Sequence, residues 1–167
     1  MPADSRPEVE APCASTGLLA SQKVVIATSW AVMMENPTEN GVEMFVRLFK
    51  NYPDVQGHFA KLSTLSVEEL KRSPVLIAHA QKALAAINHL VDSLDEPGEL
   101  VASIQNLAQD HQHRGVTSDD FKIVLSTLQS HLAHVLKDRY DDVTATAWKQ
   151  CCDVIWSVVD ADMNKNS

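Results

Sequence analysis

From Leu18 onward the apolar residues of this chain recur three and four positions apart, the period of helices with one buried face, and no repeat or low-complexity stretch interrupts them. That pattern predicts helices throughout. Only 5 Gly and 7 Pro occur in 167 residues, and three of the prolines (Pro2, Pro7 and Pro12) fall within the first dozen positions. So few turn formers argue against a many-stranded sandwich. Residues 1–17 are rich in Pro, Ala, Ser and acids with little to bury, so they read as a disordered tail ahead of one domain over 18–167. A chain of this length buries about two thirds of its unfolded surface and needs no staples.

Hydrophobic residues make up 45% and charged residues 22%, too apolar for a disordered chain. The formal net charge of −8 repels phosphate backbones and anionic lipid, so neither nucleic acid nor a membrane surface is an expected partner. Cys13, Cys151 and Cys152 form an odd set, and the adjacent pair could join only through a strained ring. A disulfide framework is not expected, which fits a reducing compartment. No run of ~18 apolar residues appears, and the start lacks a basic segment followed by an apolar one, so a cytoplasmic location is expected. The Met1-Pro2 start does not match the myristoylation pattern, and Cys13 reads as a free thiol.

Helix boundaries are marked along the chain. Ser21 reads as the cap of a first helix that Asn36-Pro37 stops. Asn36, Pro37 and Glu39 then open a second helix carrying Val42, Phe45, Val46 and Phe49. Pro53 starts a short turn of helix ending near Phe59, and Ser66 with Glu69 reads as a capping box. Ser73-Pro74 opens a long helix that Asp95 to Gly98 terminates. The next helix aligns Leu100, Ile104, Leu107 and His111 on one face and ends at Gly115. Ser118, with Asp119 and Asp120, reads as the cap of the following helix. The last helix is expected to begin near Thr144, with a staple between Val143 and Trp148. The result is an all-α domain of six to eight helices.

Two positions stand out chemically. His111 is the fourth member of an otherwise apolar stripe, where an unpaired imidazole would cost about 1–3 kcal/mol. His79 shares its helix face with the small residues Ala83 and Ala86, which leave room for a flat object close to the backbone. Two histidines on different helices could face each other across such an object. A core or surface histidine with ordinary partners would look the same in sequence at either position.

Five features in order resemble the globin family. Leu107-Ala108-Gln109-Asp110-His111 followed by Gly115-Val116 is similar to its proximal-histidine segment. Tyr52-Pro53-Asp54 with Phe59 resembles the short third helix and the phenylalanine that packs on haem. Ser73-Pro74 with His79 and Lys82 resembles the distal helix, while Trp30 and Trp148 resemble the first-helix and last-helix tryptophans. The likeness spans about residues 20–163 and implies a globin-like fold around a haem pocket. It is nearest the neuroglobin-type branch, judged by the Ser73-Pro74 start, Phe45, Lys82 and the spacing of the two histidines.

The resemblance implies haem b (iron protoporphyrin IX) as cofactor, His111 as the proximal iron ligand and His79 as the distal residue, a hydrogen-bond donor for dioxygen. Phe59, Phe45, Ala83, Leu107 and Phe121 are then expected around the macrocycle, with Lys82 near a propionate or simply solvated. In the neuroglobin-type branch the distal histidine often binds the iron itself, so bis-histidyl, hexacoordinate iron is expected when gas is absent. Globins commonly carry a larger β-branched residue where this chain has Ala83; the small side chain leaves space for a cavity or a shifted haem.

The implied function is reversible binding of dioxygen, CO and NO, for storage, transport or sensing. The alternative is haem redox chemistry, either electron transfer or turnover of nitric oxide and nitrite with a reductase as partner. A monomer or weak homodimer suits either. No catalytic triad, phosphate-binding glycine loop or paired-carboxylate signature appears, so a binding protein rather than an enzyme is expected. The other histidines have plainer readings. His113 lies about 200° off the stripe and should be at the surface. His131 and His134 could touch one metal but lack a third ligand. Cys151 and Cys152 read as core filling.

Overall fold

The computed structural model describes residues 9–165, and the first half of the expected tail, residues 1–8, lies outside them. Among the described residues there are eight α-helices and no strand: α1 Ala20–Met33, α2 Pro37–Asn51, α3 Pro53–Gln56, α4 Val67–Arg72, α5 Pro74–Asp92, α6 Pro97–Gln112, α7 Ser118–Leu136 and α8 Asp142–Lys165. A single turn of 3-10 helix, Lys137–Arg139, joins α7 to α8.

The caps explain most of the boundaries. Ser66 and Glu69 exchange side-chain and backbone hydrogen bonds around the start of α4, and the Ser73 side chain accepts from Leu76 N–H with Pro74 in the first turn of α5. Three helix starts differ from the sequence reading, and a fourth keeps its place without the expected cap bond. Helix α1 begins at Ala20, because the Ser21 N–H and hydroxyl both donate to the Glu10 carboxylate and are not available as a cap. Asn36 precedes Pro37 as read but makes no side-chain cap bond. The cap of α7 is Thr117, which exchanges bonds with Asp120, while the Ser118 hydroxyl donates across to Asp160 Oδ1 at 2.8 Å. Helix α8 begins at Asp142 with the Asp141 carboxylate accepting from Thr144 N–H, and Val143 is 62% exposed, so it does not staple to buried Trp148.

The described part of the expected tail is held to the domain. Cys13 N–H donates to Leu18 O at 2.8 Å, Gly17 closes the turn at φ +70°, and the Thr16 carbonyl accepts from Gln150 of α8 at 3.2 Å. Leu18 is buried behind this turn. From Glu10 on, polar contacts rather than apolar ones do the anchoring, which is why composition alone reads the stretch as free.

Helices pack chiefly as α2 on α5 and as α1, α6 and α7 on α8, whereas α5 and α6, consecutive in sequence, barely touch. The α2–α5 crossing depends on Gly41, where an added Cβ would lie 3.0 Å from Ala80 Cβ. Trp30 and Trp148 sit in the core with centroids 6.0 Å apart, and each indole N–H is satisfied: Trp30 donates to Asn88 Oδ1 at 3.0 Å and Trp148 to Ser29 Oγ at 2.8 Å. Because α5 makes so few contacts with α6, the partly buried faces of Ala83 on α5, Leu107 on α6 and Phe121 on α7 border a slot between these helices.

Candidate functional site

The stripe on α6 passes from core to slot along its length: Leu100 and Ile104 are buried, Leu107 and His111 only half-buried. Helix α6 stops one residue after His111. The chain turns through Gly115 at φ +81°, a left-handed conformation that glycine adopts without strain, and Arg114 and Val116 N–H both donate to the His111 carbonyl. The imidazole is oriented by its own helix, since Nδ1–H donates to Leu107 O at 2.7 Å. A neutral ring with Nδ1 protonated keeps Nε2 as its lone-pair nitrogen, the form a metal needs. Phe121 of α7 meets the ring edge-on at 5.1 Å.

On the opposite side α5 supplies His79. Its ring sits between Phe45 of α2 and Phe59 after α3, at 4.9 and 5.0 Å and near-perpendicular to both. Phe49 completes the aromatic cluster at 5.3 Å from Phe59. The sequence reading left Phe49 out of the site, although its place one helical turn after Phe45 was the available signal. Burial, followed by the charges of His111, Arg114 and Lys82, lowers the His79 pKa, so the ring is held neutral.

Phe59, Ala83, Leu107 and Phe121 pack against the core yet remain only half-buried, so apolar faces on both sides of the slot lack a protein neighbour. Lys82 and Arg114 are exposed and pair with no Asp or Glu among the described residues. An apolar slot with one imidazole from each side and unpaired cations nearby fits a flat, apolar, doubly acidic macrocycle carrying a metal. A bare metal ion fits less well, because no cluster of three or more His, Cys, Asp or Glu exists among the described residues. The structure thus brings together Phe45, Phe59, His79, Leu107, His111 and Phe121, with Ala83 one turn along α5 from His79.

The remaining histidines take other partners. His131 is fully buried and bonds Asn40 Oδ1 across 3.2 Å, a core role for which its local sequence carries no signal. His134 lies 6.2 Å from it ring to ring without a third ligand. His89 is exposed and lies 3.2 Å from Glu99 and 3.1 Å from Ser103, and His113 is exposed as read. An apolar cavity of about 10 Å³ beside Trp148 and an open groove of about 600 Å³ between Glu39 and Lys71 include neither His79 nor His111. No helix among the described residues is long and apolar enough to cross a membrane.

Known proteins resemble this chain in sequence and in fold. The family model described as Globin matches residues 42–159. A globin of Nerita albicilla is 31% identical over 148 residues, covering 89% of this chain and 94% of its own length. Cytoglobin-1 of Oryzias latipes is 30% identical over 150 residues, covering 84% of this chain and 83% of its own. Among solved structures, a hexacoordinated heme protein from an anhydrobiotic tardigrade superposes with a TM-score of 0.83 at 19% identity, covering 89% of this chain and 97% of that one. The slot, its paired histidines and these matches together identify the chain as a member of the globin family, with haem as its cofactor.

Proposed function

We propose that this globin binds dioxygen and related diatomic gases reversibly, with His111 as the proximal ligand of haem b and His79 as the distal residue. Haem supplies a ferrous iron that takes up such a gas and releases it unchanged. The observation that carries the reading is the 2.7 Å bond from His111 Nδ1–H to Leu107 O, which fixes the tautomer with Nε2 free as a donor atom.

The chain's own groups do the rest. His79, kept neutral, offers one N–H and one lone pair. The N–H can stabilise a gas that carries partial negative charge, and the lone pair can take the iron when no gas is present. The rings of Phe45, Phe59 and Phe121, with Leu107, keep water away from the iron and slow its oxidation. Lys82 and Arg114 would hold the propionate carboxylates as ion pairs at the slot's rim. An imidazole on α5 and another on α6, each able to offer a lone-pair nitrogen, support bis-histidyl coordination, which also suits a second reading in which the protein works by haem redox chemistry.

The test is the visible spectrum of the dithionite-reduced protein without gas. Sharp, separate α and β bands mean low-spin, six-coordinate iron. A single broad band means an open five-coordinate site and removes the bis-histidyl part of the reading. Failure to form a reversible oxygen complex in either state would overturn gas binding and leave the redox reading.

A further inference from the structure

Helix α6 carries His111 yet has almost no contact with α5, and its main partner is α8. Two side-chain amides make that partnership specific. Gln112 Nε2 donates to the Met163 carbonyl at 3.1 Å, and Gln109 Nε2 donates to Asp162 Oδ2 at 3.4 Å. Both acceptors lie in the last turn of α8, which ends at Lys165. Asp162 is a carboxylate only 6% exposed at the helix end where the dipole disfavours an anion, so a donated hydrogen bond there is worth more than on the surface.

Gln109 and Gln112 leave α6 on one flank, about 60° apart and each at least about 100° around the helix from His111. Two bonds on one flank fix the rotation of a helix about its axis as well as its distance from a neighbour. The chain beyond α6 is tied to the same stretch, since Ser118 Oγ donates to Asp160 Oδ1 at 2.8 Å and Trp156 Nε1 donates to Ser118 O at 2.9 Å. The α6–α7 corner is therefore fastened to residues 156–163 at both of its ends.

We propose that Gln109 and Gln112 are positioning residues that set the reach and tilt of His111 toward the iron by clamping α6 to the last turn of α8. This rests on His111 being the proximal ligand. Rotation of α6 by even a small angle swings the imidazole at its surface, so loosening the clamp loosens the bond to the metal.

The experiment uses the haem-loaded full chain with Gln109→Met and Gln112→Met, singly and together, which keep side-chain length but remove the donors. Two readouts are taken: the iron–histidine stretching band of the five-coordinate ferrous species made by CO photolysis, and the rate of haem loss to an excess of an apoglobin scavenger. The expected result for the double variant is a shifted or broadened band and haem loss faster by about tenfold, the scale of one or two net hydrogen bonds. Gln112→Lys, which restores a donor, should return both toward wild type. A lower melting temperature with the band and haem loss unchanged would mean ordinary α6–α8 packing and would overturn the proposal. His111→Gly with added imidazole separates the two ideas. A spectrum lost in that variant and restored by imidazole, beside silent glutamine variants, defeats the clamp alone, whereas a spectrum untouched by His111→Gly defeats the ligand assignment and the clamp with it.

Discussion

Acidification from pH 6.5 to 4 should destabilise this protein through one buried ring, His131. Its Nε2–H donates to Asn40 Oδ1 at 3.2 Å, and the Asn40 amide nitrogen is turned away to donate to Met33 O at 3.0 Å, so the asparagine presents an acceptor to the ring. The other nitrogen, Nδ1, is buried without a hydrogen-bond partner, and a second proton placed there meets no acceptor. Burial, followed by the charges of Arg47 and His134, draws the pKa down from 6.5 to about 4. In the unfolded chain the ring protonates near its ordinary value. Between those two values the unfolded state binds more protons than the folded one, so stability falls as pH falls and levels off below the folded pKa. At about 1.4 kcal/mol per pH unit, the window is worth about 3 kcal/mol. His131→Gln keeps an amide donor for Asn40 and removes the titration. Urea unfolding of both proteins between pH 6.5 and 4 should show the stability of the wild type relative to the variant falling by about 3 kcal/mol. Two curves that run parallel across that range would refute the argument.

Three further outcomes are expected. Gly41→Ala should lower the denaturation midpoint, because a methyl 3.0 Å from Ala80 Cβ and 3.2 Å from its carbonyl oxygen costs about 1–3 kcal/mol in overpacking against ~1 kcal/mol gained in helix propensity; a raised midpoint would show that α2 and α5 can part freely. His79→Leu should keep haem and bind CO faster if His79 occupies the iron, whereas His111→Ala should lose most of its haem on desalting; an unchanged CO rate counts against internal ligation. Among the three thiols, Cys13 should react first with a disulfide reagent at pH 8, since Thr16 hydrogen bonds draw its pKa down to about 7, while burial pushes Cys151 up to about 12 and Cys152 well above its usual value; equal labelling of all three in the folded protein would contradict this.

What the sequence made legible was local. Ser66 with Glu69 and Ser73 with Pro74 announce helix starts because both partners lie within four residues of each other. Thr117 and Ser118 show how narrow that legibility is: either could cap a helix ahead of two aspartates, and only the spacing to Asp120 favours Thr117. Ser21 misleads for a longer-range reason, since its hydroxyl is taken by Glu10 from outside the helix. The slot residues His79 and His111 were readable as two imidazoles on apolar faces, but their orientation was not. That depends on Phe45 and Phe59 closing on one ring and Leu107 O on the other. His131 is the extreme case, with a partner 91 residues away that no periodicity reports.

The slot between α5 and α6 has a consequence for how much of this protein accumulates. Phe59, Leu107 and Phe121 are only half-buried by protein, and a macrocycle bound against them would extend the apolar core. A ligand taken up only by the folded chain adds about 2.7 kcal/mol when present at a hundred times its dissociation constant, a large share of the ~5–15 kcal/mol that holds a domain together. Chains made during haem shortage would open more often and be cleared by proteolysis sooner. The abundance of the protein would then follow haem synthesis before any gas is bound.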